Sequence, residues 1–159
     1  MPRGRCALSI TFMALLCHSS VTAPRADEIP FTVLPSTQAP QPERLCSRSG
    51  PGHISSGWDP TTSQIRQAEA LLPAFVESLG RAVPRLERRV PQPDESYRQY
   101  IGVVIGGRQL IYVNVFPRRP STGWRTHFVH VRDGGAAFWG VLFDPQARRF
   151  FSPQFNGTI

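Results

Sequence analysis

Three histidines are the side chains of this sequence with the widest range of catalytic and metal-binding chemistry. His53, His127 and His130 follow His18, which lies near the start of the chain. His127 and His130 are three residues apart on a segment that alternates like a β-strand, and an odd spacing directs them to opposite faces of a sheet. They therefore cannot bind one metal ion as neighbours, and His53 would have to fold back to reach them. The sequence predicts no metal site and no cofactor.

Nucleophilic catalysis would need a serine, cysteine or threonine beside an oriented imidazole. Cys46 lies near His53, but in a stretch rich in proline and glycine that offers no rigid support. Asp133 begins an Asp-Gly-Gly turn and has no second acidic residue at a fixed spacing. We expect a protein that is not an enzyme. A small hydrolase that uses Cys46 or Asp133 with a histidine is the alternative.

Residues 1–23 have the pattern of a bacterial Sec-type signal peptide. Arg3 and Arg5 precede the apolar run Cys6–Cys17, and small residues then allow cleavage after Ala23 or Ala26. The apolar run is about half of the roughly 20 residues that a bilayer-spanning helix needs, which argues against a stable membrane span. The predicted location is periplasmic or secreted.

Arginine supplies every basic charge of the chain. The sequence has 18 arginines, no lysine and 11 acidic residues, a net charge of +7, which becomes +5 when Arg3 and Arg5 leave with the signal peptide. Arginine suits the geometry of phosphate and carboxylate, and an exported protein meets anionic envelope components rather than nucleic acid. Cleavage leaves Cys46 without an intrachain partner, so it is either a half-buried loop residue or pairs with another chain.

The segment 24–58 is rich in proline, serine and glycine and is predicted to be extended, ahead of a single domain at 59–159. An amphipathic helix is expected to begin at Asp59-Pro60, where Asp is a good N-cap and Pro suits the first turn. Pro73 predicts a kink or a break, and Gly80 is a natural end. The apolar stripe of this helix consists of Ile65, Ala68, Leu71, Leu72, Phe75, Val76 and Leu79.

A β-hairpin, Tyr97–Phe116, is the strongest structural prediction. Gly106-Gly107 fills a two-residue turn without strain and separates two runs of β-branched and aromatic residues. This turn places Tyr97 opposite Phe116, Ile101 opposite Tyr112, Val103 opposite Leu110 and Ile105 opposite Arg108. Both faces of the hairpin are apolar, which is unusual for an antiparallel pair with one side in water. We expect the helix on one face, whereas the other face is either partly covered or available to a partner.

The remaining chain reads as further strands joined by turns. Arg125–Arg132, Ala136–Phe143 and Arg149–Asn156 have strand-like patterns, and Pro153 limits the last of them to a sheet edge. The fold class is therefore α+β, with one N-terminal amphipathic helix packed on a four- to five-stranded antiparallel sheet.

Two resemblances accompany this outline. The segments YRQYIGVVIGGRQLIYVNVF and VRDGGAAFWGVLFDPQARRFFSPQFNG resemble the C-terminal half of small exported proteobacterial proteins of unknown function, through a loose D-G-G-x-x-F-x-G-V motif that implies no activity. The order of helix and sheet is cystatin-like in layout, and Gln99–Gly107 resembles the glycine-tipped first hairpin loop of cystatins. In cystatins Gln and Gly lie around two valines at the turn itself, whereas Gln99 lies well down its strand, so no inhibitory residue is carried over.

The predicted function is that of an exported, non-enzymatic binding or accessory protein. Its partner would be a protein or an anionic envelope component, and a homodimer through Cys46 or a sheet face is a further alternative. A secreted inhibitor of an envelope or host enzyme is another alternative. The candidate partner-binding residues are Tyr100, Val104, Ile111, Val113, Val115, Arg118, Arg119 and Trp124.

Overall fold

The computed structural model describes residues 31–82, 90–117 and 122–157, which form a mixed α+β fold. The predicted signal peptide and the start of the proline-rich segment lie outside these residues. No helix within the described ranges is long and apolar enough to cross a membrane. The elements are β1 Phe31–Val33, β2 Ser56–Trp58, α1 Thr62–Ala82, β3 Tyr97–Ile105, β4 Arg108–Phe116, β5 Trp139–Asp144 and β6 Arg149–Phe155.

The six strands form one sheet. Strands β3 to β6 follow one another as an antiparallel meander, and the outer edge of β3 is shared by two short strands. β1 pairs in parallel with residues 98–100 of β3, and β2 pairs in antiparallel with residues 102–104. The sheet thus has more strands than the predicted four or five, and one of its pairs is parallel. The additional strands come from the segment 24–58, whose prolines and glycines hid them from the sequence pattern.

The predicted hairpin and its register are confirmed. Gly106 and Gly107 have φ angles of 56° and 75°, so both turn residues occupy the left-handed region that a tight hairpin turn of this kind requires. The pairing runs from Ile105 opposite Arg108 to Tyr97 opposite Phe116. β6 is confirmed as an edge strand that contains Pro153.

Helix α1 begins two residues after the predicted start, with Thr61 rather than Asp59 at the N-cap and Thr62 as its first residue. Thr61 and Gln64 form a reciprocal capping box, in which the Gln64 backbone N–H donates to Thr61 Oγ1 (3.3 Å) and the Thr61 N–H donates to Gln64 Oε1 (2.8 Å). Asp59 instead accepts a hydrogen bond from the Ser36 N–H. The helix is continuous through Pro73. Its buried face consists of Ile65, Ala68, Leu72, Val76 and Leu79.

The strand predicted at Arg125–Arg132 is wrong. This segment lies over a face of the sheet as turns and irregular chain, because β4 pairs with β5 and leaves no free edge beside it. Its backbone is satisfied by a local turn onto the Gly123 carbonyl and by side chains of the sheet instead. Gln99 accepts from the Val129 N–H, and Asn114 donates to the Val129 carbonyl. The strand predicted at Ala136–Phe143 begins only at Trp139, after a 3-10 turn at Gly135–Ala137.

Both faces of the sheet are covered. The buried face of α1 packs on one face, against a cluster that includes Tyr100, Val113 and Trp139. The other face packs against scattered residues of the N-terminal segment and of the segment after β4. The members of this second cluster are Leu34, Ala39, Ile54, Ile101, Val103, Leu110, Tyr112, Phe128 and Leu142.

Candidate functional site

The sheet face predicted to bind a partner is the face that α1 covers. Tyr100, Ile111 and Val113 are fully buried, and Val115 is 1% exposed. Val104 is half-buried and pairs with Ser56 of β2. Tyr100, Ile111, Val113 and Val115 therefore offer no accessible surface, because the apolar stripe of the helix and the apolar face of the hairpin bury each other. Arg118 and Arg119 lie outside the described residues.

A charged cluster ties α1 to this face. The Arg98 guanidinium donates to both carboxylate oxygens of Glu69, at 2.7 and 2.8 Å, and Tyr100 Oη donates to the same carboxylate. Burial, followed by the Glu69 charge, raises the pKa of Tyr100 well above its usual value. Burial opposes the charge of Arg98, but the hydrogen bond and charge of Glu69 together with Tyr100 outweigh it, and the pKa of Arg98 is raised. The arrangement keeps Tyr100 protonated and Arg98 charged, which suits a structural role.

The opposite face has a polar centre that the sequence analysis did not single out. Gln99 and Asn114 are register partners on β3 and β4, both are buried, and the Asn114 side chain donates to Gln99 Oε1 (3.0 Å). Two amides opposite each other in an otherwise apolar hairpin were a visible signal. They hold the segment after β4 against the sheet, since Gln99 also donates to the carbonyls of Trp124 and His127.

Arg48 reaches this polar centre from the N-terminal segment. Its side chain is 8% exposed overall and donates to Asn114 Oδ1 (2.6 Å), Tyr112 Oη (3.0 Å) and Asn156 Oδ1 (2.9 Å). A Cβ at Gly140 would lie 2.0 Å from Tyr112 Oη, so glycine at that position leaves the space that the hydroxyl occupies. Burial raises the pKa of Tyr112 and the nearby Arg48 charge partly opposes this. No pattern in the sequence marks Arg48, because its neighbours are typical of a linker.

A groove of about 440 Å³ lies along the segment after β4. Trp124 is 3% exposed and Phe128 is 7% exposed, so the two aromatic rings form its floor rather than its surface. His127 and His130 are exposed on the same segment. The prediction that these two histidines point to opposite faces of a sheet is wrong, because the segment is not a strand. Both line one groove. The complete lining is Gly123, Trp124, His127, Phe128, Val129, His130 and Val131.

The aromatic floor is anchored in the sheet. The Trp124 ring makes edge contacts with Tyr97 (5.2 Å between ring centroids) and Phe116 (6.1 Å). The Arg125 guanidinium lies over the Trp124 ring, 4.4 Å from its centroid. Phe128 packs against Tyr112 at 6.4 Å and against the His130 ring at 4.8 Å. The groove is therefore held by contacts that reach into the hairpin.

Each of the three histidines in the described ranges has a polar neighbour that is neither Cys46 nor Asp133. His53 Nδ1 lies 3.1 Å from Glu43 Oε1, His127 Nδ1 lies 3.0 Å from Thr126 Oγ1, and His130 Nε2 lies 3.0 Å from Gln41 Oε1. Cys46 is a free, exposed thiol. The described residues contain no group of three or more His, Cys, Asp or Glu side chains arranged to hold a metal ion. The hydrolase alternative thus finds no hydrogen-bonded pair to support it within the described ranges.

The electrostatics of the groove are positive. Burial, then the charges of Arg48 and Arg44, lowers the pKa of His130 below its usual value. None of the lining residues is acidic. Glu43, the acidic residue next to Arg44, is directed to His53 and to the Ile54 N–H. An arrangement of imidazoles over nearby guanidinium groups can bind a negatively charged group.

No protein-family model, no curated protein and no solved structure matches this chain.

Proposed function

We propose that the chain is an exported, non-enzymatic binding module and that the groove along residues 123–131 is its binding surface. The observation that carries the proposal is the groove itself, a concavity of about 440 Å³ with two exposed imidazoles above an aromatic floor. This volume is within the range of small-molecule and cofactor sites, roughly 300–1,000 Å³. Of the residues selected from the sequence, Trp124 belongs to this surface.

The rigidity of the groove supports a binding role. Its walls are held by Gln99 and Asn114, whose amides bond to the backbone of the segment rather than to solvent. A surface that is ordered before its ligand arrives loses less conformational entropy on binding. Its partner would be a protein or an anionic component of the envelope, in keeping with the positive charge of the chain.

The predicted location and layout belong to the same proposal. The signal-like N-terminus supports a periplasmic or secreted protein. The helix that precedes an antiparallel meander and covers one of its faces supports a cystatin-like arrangement. The parallel pairing of β1 with β3 departs from the antiparallel sheet expected for that arrangement. The layout therefore carries no inhibitory function into the proposal.

His127→Glu tests the proposed surface. The side chain is exposed, bonds only to its neighbour Thr126 and lines the groove, so a negative charge there should reduce ligand capture without unfolding the protein. The tagged mature chain is incubated with its own envelope extract, and the retained molecules are compared by mass spectrometry. We expect the molecule retained by the wild-type chain to be lost, with the circular dichroism spectrum unchanged.

Gln109→Glu is the matched control. It also replaces an exposed neutral side chain by a carboxylate, but beside the hairpin turn. The control should retain the same molecule as the wild-type chain. Equal capture by both variants, or equal loss, would contradict the assignment of the groove.

A further inference from the structure

Arg48 is a buried cation, and no carboxylate in the described part of the chain pairs with it. The other deeply buried arginine, Arg98, has Glu69, and the half-exposed Arg108 has Asp144. Arg48 bonds to two amide oxygens and one hydroxyl, all neutral. Its Nε–H has no acceptor among the described residues. Removing a guanidinium from water is costly unless an anion or a full set of hydrogen bonds replaces the water, and Arg48 has neither.

The same two asparagines that bind Arg48 also form the support of the groove. Asn114 accepts from Arg48 and donates to the Val129 carbonyl (3.0 Å). Asn156 accepts from Arg48 and donates to the Val131 carbonyl (2.9 Å). Val129 and Val131 both line the groove. The buried Arg48 guanidinium is therefore separated from the groove wall by the Asn114 side chain at Val129 and by the Asn156 side chain at Val131.

A second positive charge, that of Arg44, lies close enough to the groove to act on His130. Arg44 is exposed on the 3-10 turn Gln41–Arg44, whose first residue contacts His130. A permanent charge behind the wall, a second one at the rim and two imidazoles on the surface favour an anion over a cation or a neutral molecule. The volume of the groove limits the bound group to a small molecule.

We propose that the groove binds the oxyanion group of a small molecule, a carboxylate or a phosphate, and that Arg48 provides the permanent charge that selects it. The inference rests on the proposed binding function and specifies its ligand. His127 and His130 contact the ligand, and Arg44 adds charge at the rim. Arg48 acts through the groove wall and is therefore a positioning and selecting residue rather than a direct contact.

The test titrates the full mature chain, at low ionic strength, with inorganic phosphate, citrate and glucose. Two-dimensional ¹H–¹⁵N NMR follows the backbone signals of residues 123–131. We expect saturable shifts of these signals with phosphate and with citrate, and none with glucose. A stronger response to phosphate or to citrate identifies which oxyanion the groove prefers. Equal responses to glucose, or shifts spread over the whole surface, would overturn the proposal.

Three substitutions assign the charge. Arg48→Met should weaken anion binding about tenfold or more, as expected when a buried charge is truncated. Arg44→Gln changes an exposed side chain and should weaken binding about threefold, in the range of surface charge effects. Arg66→Gln on α1, on the opposite side of the sheet, is the matched control and should leave binding within about twofold.

Arg44→Gln keeps the proposal testable if Arg48→Met does not fold. Equal affinity of Arg44→Gln and Arg66→Gln for phosphate and citrate would overturn the role of local charge. Absence of phosphate and citrate binding, together with capture that still depends on His127, would refute the oxyanion ligand and leave the binding surface intact. Loss of both would refute the groove as the site.

Discussion

Two buried arginines lie on opposite faces of the sheet and are stabilised in different ways. Arg98 pairs with the Glu69 carboxylate through two hydrogen bonds, as a guanidinium in a low-dielectric interior requires. Arg48 has only neutral oxygens and keeps one N–H without an acceptor. Arg98 thus has a structural role, since its ion pair attaches helix α1 to the sheet. Arg48 attaches the N-terminal segment to Asn114, Tyr112 and Asn156, and the proposed oxyanion ligand would give its charge a further role.

His130 should report the positive charge around the groove. Its pKa is lowered by burial and by Arg48 and Arg44, while its other close neighbours, Gln41 and Phe128, are uncharged. Arg44→Gln removes one of the two cations, so we expect the pKa of His130 to rise. An NMR titration of the ring nitrogens measures this directly. Arg66→Gln should leave the pKa of His130 unchanged, and an unchanged value in Arg44→Gln would contradict the prediction.

The same shift contributes to the pH dependence of stability. The unfolded chain protonates His130 near the usual pKa of about 6.5, whereas the folded chain does so only at lower pH. As the pH falls through that window the unfolded state binds the extra proton first, so the free energy of unfolding decreases until the folded pKa is passed. Because Arg44→Gln raises the folded pKa, it should reduce this loss in urea titrations compared at about pH 7 and pH 5.

Part of the polar centre around Gln99 and Asn114 could have been predicted from the sequence. Gln99 and Asn114 are the polar side chains on one face of a hairpin whose register the Gly-Gly turn determines, so their pairing followed from the turn alone. Arg48 could not be predicted. Its neighbours, Ser47, Ser49 and Gly50, are typical of a linker, and its role depends on contacts with residues more than sixty positions away.

At the scale of elements, the attachment of α1 to β3 should depend on Glu69. Glu69→Gln removes the carboxylate and leaves the buried Arg98 charge with a neutral partner. Breaking a buried ion pair on one side costs roughly 3–5 kcal/mol, and since Glu69 is partly exposed we expect the lower end, about 3 kcal/mol. Equilibrium urea denaturation followed by circular dichroism measures the loss in free energy of unfolding.

Glu77→Gln provides the control on the same helix. Glu77 pairs with Arg81 one turn away, and both side chains are largely exposed, at 70% and 65%. Exposed pairs at this spacing contribute only about 0.3–0.5 kcal/mol. A loss of similar size in both variants would show that Glu69 acts as an ordinary surface residue and that the cluster does not hold the helix.

The elements were predictable where local pattern and long-range contacts agree. The hairpin follows from its turn, and α1 follows from an apolar stripe that buries as predicted. Arg125–Arg132 alternates like a strand, but its backbone bonds to the amides of Gln99 and Asn114 rather than to a neighbouring strand. An alternating apolar pattern indicates which side chains face the core. It does not indicate which groups form hydrogen bonds with the backbone.

At the scale of the whole molecule, the sheet is enclosed by α1 on one face and by irregular chain on the other. The irregular layer combines the N-terminal segment with the segment after β4. Its apolar residues, Leu34, Ala39 and Ile54, are widely spaced among prolines and glycines, so no periodicity marks them. The sequence therefore indicated a linker where the structure has a packed layer with two strands, β1 and β2.

This layer leads to a prediction about the domain boundary. A chain that begins at Asp59 retains α1 and β3 to β6, the range predicted from the sequence as the domain. It lacks β1, β2 and Arg48, and it exposes the apolar face that contains Ile101 and Tyr112. Burial of Leu34 and Ile54 alone contributes about 1.5–3 kcal/mol each. We expect the truncated chain to lose cooperative unfolding, because a domain of this size has only about 5–15 kcal/mol in total.

Thermal and urea unfolding of two chains, one that begins at Pro24 and one that begins at Asp59, tests this boundary. The chain from Pro24 should unfold cooperatively and bind little of the hydrophobic dye ANS, since both faces of its sheet are covered. The chain from Asp59 should bind ANS and unfold without a sharp transition, as expected when side-chain packing is lost from one face. If both chains unfold with the same midpoint, residues 24–58 are a dispensable linker after all. In that case the groove, whose support depends on Arg48, could not be a preformed binding site. The same experiment therefore tests the domain boundary and the proposed binding surface.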